Sequence, residues 1–344
     1  MPALDSIESA REHLEFLSSS PERLAFLTRL RGQPLSAAEL GERAGVSNET
    51  VQRLLETGIE CDWIVEDAEN ERHELTIAGD LVLQAYLGAQ ALDWDLFVFL
   101  TASKTRLDVL EQLESDSLSA AELSDDLPVT VPTVYRALNA LEDRELLDWQ
   151  DEPELTETGM DVHEEYHLLA DTITWVTDHA ETLNHLSDVA RTLPARELVQ
   201  SDGELVVNSM ANPEAVLNHL KDRVEVLSPE RIWCVLPSMC TFIERIGQPI
   251  LERGTEIKVV VDEAVLDVAR QSHPQALSAI ADAQSAELFI HPEKLRFGLA
   301  ILNDSVFVFI YDERSLIACL ETTSEVLDTW AADVFQARYQ AARN

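Results

Sequence analysis

The chain builds one helical unit twice, and this repeat restricts its fold more than any other feature. Residues 22–40 (ERLAFLTRLRGQPLSAAEL) align without gaps on residues 105–123 (TRLDVLEQLESDSLSAAEL), at a constant offset of 83. Ser47, Thr50, Val51, Arg53 and Leu55 keep that register with Thr130, Thr133, Val134, Arg136 and Leu138. Three residues are then lost, and Glu74-Leu75-Thr76-Ile77-Ala78-Gly79 matches Glu154-Leu155-Thr156-Glu157-Thr158-Gly159. Self-similarity over about seventy residues means one supersecondary structure used twice.

Both copies carry the same local signals. Leu24, Leu27 and Leu30, like Leu107, Leu110 and Leu113, give a first helix one apolar face. Ser36 and Ser119 each precede Ala-Ala-Glu-Leu, a capping box that starts a second helix. Ala44-Gly45-Val46 and Leu127-Pro128-Val129 make short turns, after which Ser47 and Thr130 cap a third helix. Pro132 sits early in that helix, where its missing N–H costs nothing. Trp63-Ile64-Val65 and Leu146-Leu147-Asp148-Trp149 read as strands returning through a polar turn to Glu-Leu-Thr, a β-hairpin.

This order, with its S/T-x-x-T-V-x-R-x-L and L-T-x-x-G runs, resembles the winged helix-turn-helix regulators of archaea and bacteria over residues 22–170. One departure stands out: many such domains have glycine just before the first wing strand, where this chain has Asp62 and Glu145. The resemblance implies that the third helix enters the major groove of double-stranded DNA and reads base edges with its N-terminal half. The candidate readers are Asn48, Thr50, Gln52 and Arg53 in copy one, and Thr133, Tyr135, Arg136 and Asn139 in copy two. Either arginine matches guanine or phosphate, and Asn48 and Gln52 match adenine. Residues 127–141 lack any acidic side chain, whereas copy one carries Glu49 and Glu56, so the second copy is the better reader. The competing reading makes one or both units protein-docking modules of transcription or replication machinery.

Charge bears on that choice. Asp and Glu number 64 against 25 Lys and Arg, a formal charge of −39, and four of the 25 are lysine. Such a charge repels a DNA backbone in dilute salt. The acidic, lysine-poor balance resembles cytoplasmic proteins of extreme halophiles, where molar salt shortens the Debye length to about 3 Å. An ordinary acidic protein that avoids nucleic acid is the alternative. No signal peptide or bilayer-spanning apolar run is visible, and Cys61, Cys234, Cys240 and Cys319 lack zinc-finger or CxxC spacing. A cytoplasmic protein without cofactor or metal is expected.

His163-Glu164-Glu165-Tyr166-His167 literally fits the H-E-x-x-H zinc motif. The repeat argues otherwise, because Leu83 and Leu87 occupy the matching places in copy one. The metzincin extension is also missing, with Ala170 and Ile173 where glycine and histidine would stand. A zinc hydrolase is therefore the remote alternative. Residues 160–193 read as one long helix with a heptad seam through Val162, Tyr166, Leu169, Ile173, Val176, Ala180 and Leu183. That seam serves either a homodimer or packing within the chain.

From about residue 203, apolar runs at 232–236, 257–261 and 288–290 alternate with helical segments such as 239–253 and 274–284. The alternation predicts a mainly parallel α/β sheet. A hairpin at 299–310 turning on Asn303-Asp304-Ser305, a strand at 316–320 and a helix at 324–341 follow. A strand ending in Pro237, Leu251-Glu252-Arg253-Gly254, the strand at 256–262 and the Asn-Asp hairpin are similar to the effector domain of TrmB-type archaeal regulators and the methanogenesis-regulator family. The resemblance implies a degenerate phospholipase-D-like sheet. Phe297 and Leu299 replace the catalytic histidine and lysine of that fold, so the domain is expected to bind rather than hydrolyse. Ligands of open α/β sheets lie beyond the strand carboxyl ends, which selects Pro237, Ser238, Met239, Cys240, Asp262, Glu263 and His291.

The sequence thus predicts a mainly α protein with an α/β part, in four segments. These are a first winged helix-turn-helix (1–90), a second (91–159), a linker or dimerisation helix (160–195) and an effector-sensing domain (196–344). The expected function is a homodimeric, sequence-specific, non-enzymatic transcription regulator responding to a small molecule or protein effector.

Overall fold

The computed structural model describes residues 13–14, 16–17, 21–115, 118–149, 152–201, 203–238 and 247–343. It divides into two compact units, Met1–Asp178 and His179–Asn344.

The first unit repeats one order of elements. Helices α1 (Pro21–Leu30), α2 (Ala37–Ala44) and α3 (Asn48–Glu60) lead to the hairpin β1 (Ile64–Asp67)–β2 (Arg72–Leu75) and helix α4 (Ile77–Leu87). After helix α5 (Trp94–Thr101) come α6 (Lys104–Ser115), α7 (Ala120–Asp126), α8 (Val131–Glu142), the hairpin β3 (Leu147–Trp149)–β4 (Pro153–Leu155) and α9 (Glu157–Asp178). Matching positions fill matching cores: Phe26, Leu27 and Leu30 in one copy, Val109, Leu110 and Leu113 in the other, all buried. The repeat also begins earlier than its visible alignment. Arg23 lies over the Phe16 ring at 4.5 Å and donates to the Phe16 carbonyl at 2.7 Å. Arg106 does the same to Phe99, at 4.0 and 2.6 Å.

Both capping boxes form. Ser36 accepts from the Glu39 N–H while Glu39 accepts from the Ser36 N–H and hydroxyl, and Ser119 and Glu122 repeat this. These bonds to serine hold both glutamates below the usual carboxylate range. The third helices start differently. Ser47 meets the Thr50 hydroxyl and also accepts from the Thr50 N–H at 3.2 Å, whereas the Thr130 hydroxyl meets that of Thr133 and caps no N–H. In copy two the Thr133 N–H is already donated to the Thr130 carbonyl, which leaves that hydroxyl without a backbone donor. The preceding turns differ as well: Gly45 closes α2 at φ 71°, whereas Leu127 is extended because Pro128 follows.

The L-T-x-x-G run is the staple between hairpin and helix. Thr76 donates its hydroxyl to the Asp62 carbonyl and accepts from the Gly79 N–H, and Thr156 bridges Glu145 and Gly159 identically. Asp62 (φ 56°) and Glu145 (φ 59°) are left-handed, so the backbone keeps the conformation that favours glycine although the residue has changed. A Cβ on Gly79 would run into the Trp63 carbonyl, and one on Gly159 into that of Leu146. In copy one, Leu35 and His73 also exchange backbone hydrogen bonds. The residue matching His73 is Pro153, which has no N–H to give.

The reading of 160–193 as one helix needs correction. Helix α9 ends at Asp178, and α10 (Ala180–Leu183) and a 3-10 turn at Asp188–Thr192 follow in the second unit. Thr172, Thr174 and Thr177 each turn their hydroxyls back onto the carbonyl four residues earlier, a pattern that bends helices. The seam from Val162 to Leu183 is buried in the chain itself, and α9 packs on α4 and α6. Intrachain packing claims the surface that a coiled coil would need.

The second unit holds a seven-stranded sheet. Helix α11 (Ala195–Gln200), strand β5 (Glu204–Val207) and helix α12 (Ala215–Leu227) precede β6 (Arg231–Val235), α13 (Gln248–Glu252), β7 (Glu256–Asp262), α14 (Glu263–Ser272) and α15 (Pro274–Asp282). Strands β8 (Ala286–His291), β9 (Gly298–Leu302), β10 (Ser305–Asp312) and β11 (Ser315–Thr322) and helix α16 (Glu325–Arg343) complete it. Strand order is β5-β11-β10-β9-β6-β7-β8. Among the described strands only the β6–β7 and β7–β8 pairs are parallel; β6–β9, β9–β10, β10–β11 and β11–β5 are antiparallel, so the sheet is mixed rather than mainly parallel. The cause is the short connection at Asn303 (φ 55°), which permits a hairpin and no crossover. Phe307, Phe309, Cys234 and Cys319 pack with Val216, Leu220, Val265 and Ile280 of α12, α14 and α15. Helix α16 packs on β8, β9 and β6, with Phe335 stacked on Trp233 at 5.3 Å. Among the described residues no helix is long and apolar enough to cross a membrane.

Candidate functional site

On α8, burial divides the helix cleanly. Val134, Ala137, Leu138 and Leu141 are buried, while Tyr135, Arg136 and Asn139 are exposed and Thr133 half-exposed. The four candidate readers of copy two therefore share the solvent-facing side. Arg136 is tied back to the first turn, its Nε donating to the Pro132 carbonyl at 3.2 Å and its guanidinium to the Thr133 hydroxyl at 3.3 Å. Tyr135 is less free than the sequence suggests: its ring lies 5.3 Å from that of Trp149 in strand β3. This contact fixes the helix against its hairpin.

On α3, Val51, Leu54 and Leu55 are buried, and Asn48, Gln52 and Arg53 are exposed with Thr50 half-buried. Glu49 and Glu56 share that exposed side. Arg53 is near enough to Arg23 to reinforce the lowering of its pKa that burial causes. The two faces share one burial pattern and differ in charge.

The H-E-x-x-H residues have a structural explanation. Copy one joins Arg31 to the buried Asp80 at 2.8 Å. Glu114 replaces Arg31 in copy two, and its partner becomes His163 at 3.6 Å. His163 is 4% exposed, and burial first, then His167, lowers its pKa to about 4. The two histidine rings lie 4.3 Å apart, while Glu164, the base of that motif, is exposed. Among the described residues the metal-ligating types gather elsewhere, at Glu204, His219 and Glu321. There both Glu321 oxygens are taken, by His219 and by Arg223 at 2.6 Å each. Arg223 already neutralises the carboxylate that a cation would need.

The strand-end candidates separate. Asp262 is a buried cap: one oxygen accepts from the Val265 N–H at 2.8 Å, the other from the Leu295 N–H at 2.9 Å. His291 is buried beside it, bonded to the Glu293 backbone. Glu263 is exposed and pairs with Arg270, and Pro237 is buried. Met239 and Cys240 lie outside the described residues. Burial pushes the Cys234 thiol up to about 12, so its reactive thiolate is suppressed. Among the described candidates Ser238 alone lines a cleft of about 500 Å³. The other walls come from Leu217 of α12, Val265 of α14, Phe309 of β10 and the β10–β11 turn with Arg314. Sequence reasoning missed these residues because they come from four separate elements.

Residues 213–341 match the family model of the methanogenesis regulatory protein FilR1, middle domain. Residues 11–92 and 94–178 match that of the HVO_A0261 N-terminal domain. No curated protein matches the chain. A solved structure, TrmBL2, described as an archaeal chromatin protein with a novel mode of DNA binding, aligns with 70% of this chain and 93% of its own. Its identity is 14% and its TM-score 0.31, too loose to transfer any geometry. The chain is thus similar to the HVO_A0261 N-terminal domain over residues 11–92 and 94–178 and to the FilR1 middle domain over 213–341.

Proposed function

We propose that the chain is a cytoplasmic, sequence-specific DNA-binding transcription regulator. In this reading its first unit is a pair of winged helix-turn-helix domains, and its second is a non-enzymatic sensor on a degenerate phospholipase-D-like sheet. The observation that carries the reading is the exposed face of α8. In a chain of charge −39 it presents Thr133, Tyr135, Arg136 and Asn139 with no acidic side chain between residues 127 and 141. The matched family of a regulatory protein supports the same class. On α3, Glu49 and Glu56 flank Arg53 and would face phosphates, which favours protein docking for the first copy. Pairing on a two-fold operator would use a surface other than the closed α9 seam. The test is selection of random duplexes by the full chain in molar potassium chloride. One enriched motif is expected, and its absence with folded protein would sink the reading.

A further inference from the structure

The cleft of the second unit has the makings of a specific ligand site. Its space of about 500 Å³ suits a small organic molecule. The floor and walls are apolar, made by Leu217, Leu236, Val265, Phe309 and Leu316. Leu236 and Ser238 follow β6 directly, so the cleft opens at the carboxyl end of a central strand. Its polar groups differ in what they have left to give. Asn208 is spent on the fold, donating to the Leu316 carbonyl at 2.8 Å and accepting from the Val216 N–H at 3.0 Å. Arg314, at the turn between β10 and β11, is exposed at the mouth, and no carboxylate lies within ion-pair distance among the described residues. An unpaired guanidinium beside an apolar floor, in a chain with 64 acids to 25 bases, selects for an anion with an apolar body. Glu214 at the rim disfavours a second negative group.

We propose that this cleft binds a small monocarboxylate with an apolar body, its carboxylate on the Arg314 guanidinium and its body over Leu236, Val265 and Phe309. The proposal rests on reading the second unit as a sensor and names the ligand class. A planar guanidinium grips a carboxylate through two parallel hydrogen bonds, an advantage over the single-point contact of chloride in concentrated salt.

Isothermal titration of the full chain in molar potassium chloride tests this, with hexanoate and phenylacetate as probes and hexanamide and phenylacetamide as neutral counterparts. The acids are expected to bind at least tenfold tighter than the amides. Arg314→Gln should erase that difference without unfolding, because the side chain is exposed. Val268→Trp, at an exposed position on the cleft wall, should abolish binding of all four, with circular dichroism reporting the fold. No binding of either acid, equal binding of acids and amides, or full binding by folded Arg314→Gln overturns the proposal. Motif selection by the same preparations reports separately on the DNA-binding reading, so either can fail alone.

Discussion

At single residues, the two copies act as each other's control. Gly159 must lack a Cβ because Leu146 gives its carbonyl to that space, and Gly79 faces Trp63 in the same way. Either glycine changed to alanine should cost about 2–3 kcal/mol, read as a lower urea midpoint. Glu145→Gly should move the other way, by about 0.5–1 kcal/mol, because it relieves a left-handed glutamate while loosening the unfolded chain. A destabilised Glu145→Gly variant would show that its side chain is needed there. His163 offers a third comparison. Its pKa falls to about 4 in the fold against about 6.5 unfolded, so protons bind preferentially to the unfolded chain. Stability is therefore present above pH 6.5 and declines as pH drops toward 4. His163→Leu, the residue of copy one, should remove about 2 kcal/mol of the loss between pH 7.5 and 5. An unchanged pH profile in the variant would place the loss elsewhere.

At the scale of elements, Arg136 is the side chain to remove from the α8 face. Arg136→Ala is expected to cost about 1–3 kcal/mol of specific DNA binding and to relax preference at one base pair, measured by anisotropy on the selected motif. The fold should survive, since only solvent-side bonds to Pro132 and Thr133 are lost. The caps, helices and hairpins around this face were legible because each depends on residues close in sequence, such as Ser119 with Glu122 or Thr156 with Gly159. The Phe99–Arg106 contact was legible in principle, as the same pair recurs at Phe16 and Arg23, but Phe16 and Phe99 fall outside the gap-free alignment of 22–40 on 105–123. Sheet order and cleft were not legible. Which strand neighbours β6 depends on pairings such as Val235 with Leu299, set by the packing of the whole unit. The heptad seam left its partner open for a related reason. A periodic apolar stripe states that a helix is covered, and Tyr166 and Ile173 do not say by what.

For the whole molecule, charge and salt set the conditions under which any of this operates. An ordinary DNA-binding protein loses affinity as salt rises, because its cations displace counterions from the phosphates. This chain brings few cations and a charge of −39, and the turns of its two hairpins add Glu69, Glu71 and Glu152 rather than lysine. The repulsion must be screened before α8 can approach a duplex, and a Debye length of about 10 Å at 0.1 M salt leaves much of it in force. At molar salt that length is about 3 Å, shorter than the reach of Arg136, so the attraction of the acid-free face survives where the field of the whole chain does not. Acidic side chains at the edge of the contact also hold cations against the phosphates, so ions are taken up as well as released. Affinity for the selected motif should therefore be weak or undetectable at about 0.1 M potassium chloride and rise toward molar salt. Fluorescence anisotropy across that range, with circular dichroism at each point, makes the measurement. A steep, steady loss of affinity with salt by a chain folded throughout would show that its cations, few as they are, outweigh its acids at the interface.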